Sequence, residues 1–469
     1  MPEDSLATLA VHLSSLRRSF YRRGFENMLV VLVGWLLTAD PVRYITSTLV
    51  ATGVSAMRRW EPYHRFFSRG GWLVDRLSYA VWSLVFVLQG VWFSDSGGTR
   101  LVLIGDDSLC RKKSTDLYGS CFHVDAVSSS KKHKNFSPGH CWVTLAVALR
   151  VPWSQRVWAV PILFRLYRGK KCAGDEYQKK SFLLRQMVDT FVRWLPAETK
   201  VDLLLDSGYV CRTVLKDLAS TITVIGAVKS NTRFNQSKVE RAKKKRGRPR
   251  KKGQSLPTCA ELVKQTDKLK TICVKGYIKA RKEAVLPMIV QWYSVCKETP
   301  IKALLVPQEK VLRVYVCTEP TRSTTDILNR YCLRWALECW FRDAKQYFGW
   351  ADSPARSKQA VLHMAPWVGL MSTVLVVWFH QHWNTQIVKL PCRPWYWRKT
   401  DVGLSFQDLQ MAARTTVTGL DVLSWAQELA GTVSAKPNPQ APLAKCAIPK
   451  QKGNKGQVTR IARDTKMVA

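Results

Sequence analysis

The chain has 469 residues, enough for two to four domains or one interrupted domain, and with 46% hydrophobic residues and 19 tryptophans it can bury a large core. Its formal net charge is +39, an excess that a polyanion would offset, so nucleic acid is the expected partner and an anionic membrane surface the alternative. The 13 cysteines include no CxxC pair, which argues against a zinc ribbon or a thioredoxin-like site.

The first 95 residues are predicted to be helical. An apolar run from Met28 to Leu37 and a block from Trp72 to Trp92 have the composition of buried helices. Arginines surround the first run, at positions 17, 18, 22, 23, 58 and 59. We therefore predict a helical DNA-binding domain over residues 1–95, followed by a linker at Ser94–Gly98.

Residues 96–228 predict an α/β core. The expected order is three strands, a helix, a strand, a short helix and a last strand, at 101–104, 142–151, 157–166, 176–195, 201–205, 209–218 and 222–228. This order is typical of a mixed sheet covered by helices.

Residues 229–322 interrupt that pattern. Strand-like segments at 271–280, 284–293 and 312–318 indicate a mostly β insertion, which also carries the basic run Lys238–Lys252. A long helix is expected from Ser323 or Thr324 to about Tyr347.

Helices are also predicted after the insertion. The uncharged segment Gln359–Val388 is long enough to span a membrane, but its histidines, proline and glycine favour a helix buried under the sheet. We assign residues 323–385 to the second part of the core and 386–434 to a weakly helical region. Residues 435–469 are expected to form a basic disordered tail.

Four residues of the long predicted helix share one face. Tyr331, Arg334, Glu338 and Lys345 are spaced by three, four and seven residues, which places them within an arc of roughly 60° on a helix. A carboxylate, two cations and a phenol on one face suit a site that holds a metal ion beside phosphates. The alternative is that Arg334 and Lys345 only form surface ion pairs with Glu338.

Two aspartates add to this candidate site. Asp106 and Asp206 each follow a predicted buried strand, and strand ends are where ligand sites gather in α/β sheets. If the long helix packs beside those strands, the carboxylates of Asp106, Asp206 and Glu338 meet. Such a trio would bind Mg²⁺, with Mn²⁺ as a substitute, in a two-ion arrangement about 4 Å apart. Taken singly, an aspartate after a strand is more often a turn residue.

The spacing Tyr331-x2-Arg334-x3-Glu338-x6-Lys345 resembles the Tyr-Arg-Glu-Lys signature of a large group of bacterial insertion-sequence transposases. Gly105-Asp106-Asp107-Ser108 and Asp206-Ser207-Gly208-Tyr209 resemble the motifs of that group's first and second aspartates. The resemblance covers roughly residues 100–348. It implies an RNase H-like core interrupted by a mostly β insertion, and 131 residues separate Asp206 from Glu338.

The resemblance also implies roles for individual residues. Asp106, Asp206 and Glu338 would hold the metal ions, while Tyr331, Arg334 and Lys345 would contact phosphates at the transposon end. Asp107 remains an alternative to Asp106, although adjacent strand residues face opposite sides and only one can serve. The implied activity is metal-dependent cleavage at transposon ends followed by strand transfer into target DNA.

Two further features are candidates for DNA contact, and His140 is a candidate for the metal site itself. Arg246-Gly247-Arg248-Pro249-Arg250 resembles an AT-hook, whose arginines enter the minor groove, or else forms a flexible basic loop. Trp292 could stack on a displaced base, as an aromatic of this region does in the resembling group, or be a core residue. His140 could approach the site or simply pack.

The sequence leaves several functions open. Besides a transposase, it allows an RNase H-like nuclease without strand transfer, a non-catalytic DNA-binding protein, or a membrane protein anchored by Gln359–Val388. The expected partners are terminal inverted repeats and target DNA, with no membrane. A homodimer is expected in the DNA complex because two ends must be paired. The expected location is the cytoplasm, in association with the nucleoid.

Overall fold

The computed structural model of the protein describes residues 2–38, 43–130, 132–237, 251–265, 267–309, 311–382 and 404–431. Arg246, Arg248 and Arg250 and the predicted tail, 435–469, lie outside the described residues.

The described residues form one large mixed sheet flanked by helices. The strands are β1 (Trp92–Asp95), β2 (Gly98–Arg111), β3 (Cys121–Val124), β4 (Phe136–Arg150), β5 (Val157–Tyr167), β6 (Val201–Leu205), β7 (Ile222–Val228), β8 (Asn235–Gln236), β9 (Lys270–Val274), β10 (Arg281–Gln291), β11 (Pro300–Gln308) and β12 (Val311–Cys317). The helices are α1 (Pro2–Ser15), α2 (Arg22–Leu37), α3 (Ile45–Ala51), α4 (Glu61–Ser68), α5 (Val74–Phe86), α6 (Lys170–Ala173), α7 (Lys180–Val192), α8 (Arg212–Leu215), α9 (Cys259–Lys264), α10 (Tyr293–Cys296), α11 (Thr324–Cys332), α12 (Trp335–Tyr347), α13 (Lys358–His382), α14 (Phe406–Val417) and α15 (Val422–Gly431).

Five strands form an RNase H-like core, as predicted. Their order is β5-β4-β2-β6-β7, with β4 antiparallel to both β2 and β5. Strands β6 and β7 run parallel to β2. The apolar runs of β6 and β7 are buried on both faces, as expected for parallel strands covered by helices. Helix α7 packs on one face, and α12 and α13 pack on the other.

The first core strand is longer than predicted. It was expected to end near Ile104, but β2 continues to Arg111 because its residues from Leu103 onward pair with β4. Its parallel pairing with β6 ends at Gly105, opposite Leu205. Asp106 therefore lies where the parallel pairing stops, inside a strand rather than after one.

The insertion is mostly β and continues the core sheet. Strand β12 pairs antiparallel with β7, and β11 and β10 follow in turn. Strand β11 was not predicted, because Pro300, Lys302 and Pro307 break its apolar pattern. The segment predicted as strand 271–280 is shorter, with β9 ending at Val274.

The N-terminal region is helical, as predicted, from α1 to α5. The expected linker Ser94–Gly98 is instead the turn of the β1–β2 hairpin, in which Asp95 pairs with Gly98. The hairpin attaches the helical region directly to the core sheet. The division of the chain into domains stays a prediction.

The long helix predicted from 324 to 347 is in fact two helices, α11 and α12. Ser323 caps α11 by accepting a hydrogen bond from the Asp326 amide, as the sequence predicted. At the junction, the amides of Leu333 and Arg334 each bond to a carbonyl three residues back rather than four. This 3₁₀-like turn tightens the chain, so Tyr331 lies on α11 while Glu338 and Lys345 lie on α12.

Helix α13 is a core helix. It is the one helix, among the described residues, that is long and apolar enough to cross a membrane. However, 89% of its most apolar window is buried inside the protein. It packs on β5, α4 and α5, and Thr373 donates a hydrogen bond to the Pro161 carbonyl of β5. This agrees with the prediction of a helix buried under the sheet.

Candidate active site

Asp106 lies on the face of β2 that α12 covers. Its side chain is largely buried, and its Oδ2 accepts an ion-paired hydrogen bond of 2.5 Å from Arg334 Nη1. Its Oδ1 accepts the backbone amide of Asp107 at 2.8 Å. Two residues further on, Ser108 faces the same helix and accepts a bond of 2.7 Å from Lys345 Nζ. The even-numbered residues of β2 therefore face α12.

Asp206 directly follows β6, next to the point where the parallel pairing of β2 and β6 ends. Its Oδ1 accepts the Gly208 amide at 3.0 Å, and its carbonyl accepts the amides of Tyr209 and Val210. The loop carrying the second candidate aspartate is thus a compact turn at the carboxyl edge of the sheet, where sequence analysis placed it.

Glu338 is in the first turn of α12, and Arg334 is the residue that precedes this helix. Arg334 Nη1 lies 3.3 Å from Glu338 Oε1 as well as 2.5 Å from Asp106 Oδ2. Helix α12 is held in place by its apolar face: the Trp340 ring packs against Phe164 of β5, and the indole N–H of Trp340 donates to Ser372 of α13. The packing of α12 therefore fixes Glu338 beside β2.

The electrostatics join the three carboxylates into one group. Burial raises the pKa of Asp106 to about 8, although Arg334 opposes the shift, and the charges of Asp206 and Glu338 raise it further. Burial also raises the pKa of Asp206, and its bond from Gly208 and the charge of Arg334 act against that rise. Arg334 faces all three acids, whose charges raise its own pKa against the effect of burial. The site thus carries more negative charge than its single arginine neutralises.

The donor set fits a hard divalent cation in its chemistry. Carboxylate oxygens are the ligands that Mg²⁺ and Mn²⁺ prefer, and a cation would oppose the burial and the repulsion that together raise the pKa of Asp106. Within the described part of the chain, however, no three acidic, histidine or cysteine side chains are spaced to hold one ion. Arg334 lies between Asp106 and Glu338 and fills the position that a cation would take.

Lys345 and Tyr331 lie on either side of these acids. Besides Ser108, Lys345 Nζ donates to the Leu109 carbonyl at 2.9 Å, so it ties α12 to β2. Tyr331 packs its ring on Tyr315 of β12, with 4.8 Å between centroids. Burial raises the pKa of Tyr331, and Arg334 opposes this rise.

An open cavity of about 700 Å³ borders Arg334, the partner of Asp106 and Glu338. Arg334 and Tyr331 line it beside the candidate site, and Arg281, Arg313 and Tyr315 of the insertion line it as well. Aromatic rings and guanidinium groups together suit a nucleic-acid strand. No local pattern in the sequence indicates this cavity, because its lining comes from three separate segments of the chain.

Asp107 faces away from these acids, toward α7. Its Oδ1 accepts the Tyr209 hydroxyl at 2.6 Å, and its Oδ2 accepts Lys180 Nζ at 2.6 Å. The geometry therefore favours Asp106 over Asp107 as the candidate ligand, by the strand alternation that the sequence analysis used.

Two other candidates from the sequence lie in packed positions. Trp292 is 8% exposed and its ring contacts Phe234 edge-on, which makes it a core residue of the insertion. His140 is buried on β4, and its Nε2 bonds to the Tyr118 carbonyl at 3.0 Å. Burial lowers the pKa of His140 to about 4.

An RNase H-like sheet with two aspartates at the carboxyl edge of its central strands and a glutamate on a packed helix defines the class of metal-dependent nucleic-acid-cutting enzymes. A sequence profile of the DDE superfamily endonuclease family matches residues 13–295, more than half of the chain. The chain belongs to this family. No curated protein matches the chain significantly.

Membership in the family has direct consequences. The protein is a DDE-type endonuclease that acts on DNA, and enzymes of this superfamily use divalent metal ions. The matched region includes Asp106 and Asp206 and ends before α11, so the assignment of Glu338 rests on the sequence spacing and on the geometry of α12.

Proposed function

We propose that the protein is a DNA transposase of the Tyr-Arg-Glu-Lys group, which cleaves DNA at the ends of its element and joins them to target DNA. The observation that carries this proposal is that Arg334 pairs with both Asp106 and Glu338, while Asp206 directly follows β6 at the same edge of the core sheet. We further propose Mg²⁺ as the metal, with Mn²⁺ as a substitute.

Asp106, Asp206 and Glu338 would provide the oxygen ligands for the ions. Bound ions would activate the attacking oxygen and stabilise the leaving one in phosphodiester cleavage. Arg334 neutralises part of the acidic charge in the ion-free protein. Once cations provide that neutralisation, its planar guanidinium can pair with a phosphate oxygen, as the resemblance implies for this residue.

The surroundings of the acids support binding of a DNA end. The cavity beside Arg334 adds Arg281 and Arg313 to the positive charge, and its tyrosines provide stacking surfaces. The net charge of +39 supports contact with long stretches of the DNA backbone. The contributions of Arg246, Arg248 and Arg250 remain predictions on residues outside those described.

The two ends of the element must be brought together for strand transfer, so we propose a homodimer in the DNA complex. We also propose a cytoplasmic, nucleoid-associated location, which follows from DNA as substrate.

The test uses the full chain and DNA that carries the inverted repeats flanking the gene. With Mg²⁺ or Mn²⁺, the protein should nick the DNA at the repeat ends and yield products in which those ends are joined to a second DNA. Asp206→Asn should abolish both reactions while the affinity for DNA, measured by gel shift, stays unchanged. Full cleavage by this variant would remove Asp206 from the site.

Asp217→Asn provides the matched control. The same substitution is made 11 residues after Asp206, at an aspartate whose side chain is 80% exposed. Within the described structure this side chain pairs only with Lys216. It adopts a positive φ of 52°, which asparagine also tolerates. This variant should cleave as the wild type does.

The principal alternative is a nuclease without strand transfer. It shares the fold, the acids and the metal, and only the products separate it from a transposase. Cleavage at the repeat ends without any joined product, at all target DNA concentrations, would favour the nuclease.

A further inference from the structure

A second polar cluster lies on the opposite face of β2 from the candidate metal ligands. Its centre is Asp107, whose two carboxylate oxygens accept three donors: the Tyr209 hydroxyl, Lys180 Nζ and the Cys141 thiol, the last at 3.2 Å. Asp107 is 21% exposed and Lys180 35% exposed, so the pair is shielded from solvent but not sealed. The mechanism proposed above uses none of these groups.

Tyr209 connects this cluster to the second candidate ligand. It lies three residues after Asp206 in the same turn, is only 3% exposed, and donates its hydroxyl to Asp107. The next residue, Val210, packs on Gly226 of β7 so closely that a Cβ on Gly226 would lie 2.3 Å from Val210 Cγ2. The turn is therefore held at two points, and the Tyr209 hydroxyl is the one that reaches β2.

Lys180 connects the cluster to α7. It is the first residue of that helix, and its ammonium also lies 5.2 Å from the centre of the Tyr167 ring of β5. One turn later, Leu184 packs on Gly105, where a Cβ would lie 2.7 Å from Leu184 Cδ1. The close approach of α7 to β2 is thus built into the sequence, and it places Lys180 within reach of Asp107.

Asp107 also touches the first candidate ligand, because its backbone amide donates to Asp106 Oδ1 at 2.8 Å. One residue therefore bonds through its amide to Asp106 and through its carboxylate to the turn that carries Asp206. Groups that orient metal ligands in this way commonly change metal affinity by 10- to 100-fold when removed.

We propose that Asp107, Lys180 and Tyr209 form a brace that fixes the separation of Asp106 and Asp206, so that Asp107 is a positioning residue for the metal site rather than a ligand. This inference rests on the proposed function of Asp106 and Asp206. The lysine keeps the Asp107 carboxylate oriented toward the tyrosine hydroxyl, and the hydroxyl holds the Asp206 turn against β2.

The first experiment removes one oxygen atom. Tyr209→Phe keeps the ring and its packing but loses the bond to Asp107. Binding of Mn²⁺ alone to the full chain, followed by electron paramagnetic resonance, should weaken by about 10-fold or more. The Mn²⁺ concentration needed for half-maximal DNA cleavage should rise by the same factor. The cleavage rate at saturating Mn²⁺ should stay within about threefold of the wild type, because the ligands themselves are intact.

The second experiment compares two replacements of the lysine. Lys180→Met removes the charge and should weaken Mn²⁺ binding as Tyr209→Phe does, whereas Lys180→Arg keeps a cation beside Asp107 and should restore most of the affinity. The double variant Lys180→Met/Tyr209→Phe should lose less Mn²⁺ affinity than the product of the two single losses, since both changes disrupt one brace. Thermal melting of each variant separates lost folding from lost metal affinity.

Three outcomes would overturn the brace. Unchanged Mn²⁺ affinity in both Tyr209→Phe and Lys180→Met would do so, as would fully additive losses in the double variant. Complete loss of Mn²⁺ binding in Asp107→Asn, equal to that in Asp106→Asn, would make Asp107 a ligand instead. The proposed function fails separately: a wild-type protein that binds Mn²⁺ but cuts no DNA refutes the transposase, while the Mn²⁺ affinities still decide the brace.

Discussion

Strand β6 has a group of buried charges at each end, and the two groups differ in their balance. Asp202, the second residue of the strand, belongs to one group, and Asp206, immediately after its last residue, belongs to the other. Both groups lie within the same sheet and contact the same stretch of chain, since Arg330 of α11 reaches the first and Arg334 the second.

The group around Asp202 contains as many cations as acids. Arg322 binds Asp202 with two hydrogen bonds, at 2.8 and 2.9 Å, and Arg330 Nε lies 3.0 Å from the same carboxylate. The remaining members are Asp95, which pairs with both arginines, and the pair Arg100–Glu319. Asp202 and Arg322 have fully buried side chains. A group whose charges balance in this way needs no additional counter-ion.

The group around Asp206 has three acids and one arginine, which pairs with Asp106 and Glu338 and acts on Asp206 through its charge. Its imbalance appears as the raised pKa of Asp106, which burial and the neighbouring carboxylates produce against the effect of Arg334. Burial of charge alone therefore does not mark a functional site. A surplus of negative or positive charge that neighbouring groups do not neutralise indicates a place where a counter-ion can bind.

The largest expected effect tests the unbalanced group. Glu338→Gln removes a proposed metal ligand and keeps its shape, so DNA cleavage should fall on the order of 10⁴-fold. The free energy of unfolding should change little, because the lost repulsion with Asp106 and the weakened pairing with Arg334 oppose each other. Cleavage assays and urea denaturation measure the two. A variant that retains cleavage would exclude Glu338 and leave the helix with a structural role only.

The balanced group should behave in the opposite way. Arg322→Met leaves Asp202 and Asp95 buried without their main partner, so the free energy of unfolding should fall by about 3–5 kcal/mol. Urea denaturation measures this loss. Arg59→Met is the control, since Arg59 is 88% exposed and pairs only weakly with Glu61 among the described residues, and it should have almost no effect. Equal stability of the two variants would contradict the distinction drawn here.

The smallest effect is a pH dependence of the ion-free protein. The pKa of Asp106 is about 8 in the folded protein, whereas its ordinary value is 3.8. Between these two values the folded state binds more protons than the unfolded state. The free energy of unfolding therefore falls as the pH rises from about 4 to about 8. In EDTA, this group should make the wild type about 2 kcal/mol more stable at pH 6 than at pH 8. Urea denaturation at both pH values measures the difference.

Two comparisons complete that measurement. Asp106→Asn cannot titrate, so its stability should change less between the two pH values than that of the wild type. Adding Mn²⁺ at pH 8 should stabilise the wild type and not Asp106→Asn, because the ion binds the folded state. The same pH dependence in both proteins would show that Asp106 is not the group responsible.

The core strands were predictable where apolar runs end at clear turn signals. Strands β6 and β7 have the predicted bounds, 201–205 and 222–228, because both are buried on two faces and need uninterrupted apolar sequence. The end of β2 was predicted wrongly because Asp106 and Asp107 look like turn residues. Pairing with β4 satisfies their backbone groups and extends the strand.

The members of the candidate site were proposed from the sequence, and they stay a prediction, whereas their contacts could not be predicted from it. Arg334 and Glu338 are four residues apart, a spacing that brings them together whether one helix or two cover this segment. The tight turn at Leu333 could therefore not be predicted from the sequence. The pairing of Arg334 with Asp106 depends on how α12 packs on β2, which no local pattern encodes. Strand alternation did separate Asp106 from Asp107, but the partners of Asp107 come from β4, α7 and the turn after β6.

Helix α13 has a consequence for how the chain is made. By length and composition its most apolar window is sufficient to cross a membrane. Its partners β5, α4 and α5 precede it in the chain, and α14, which also packs on it, follows. Most of the surface that covers α13 is therefore synthesised before the helix itself.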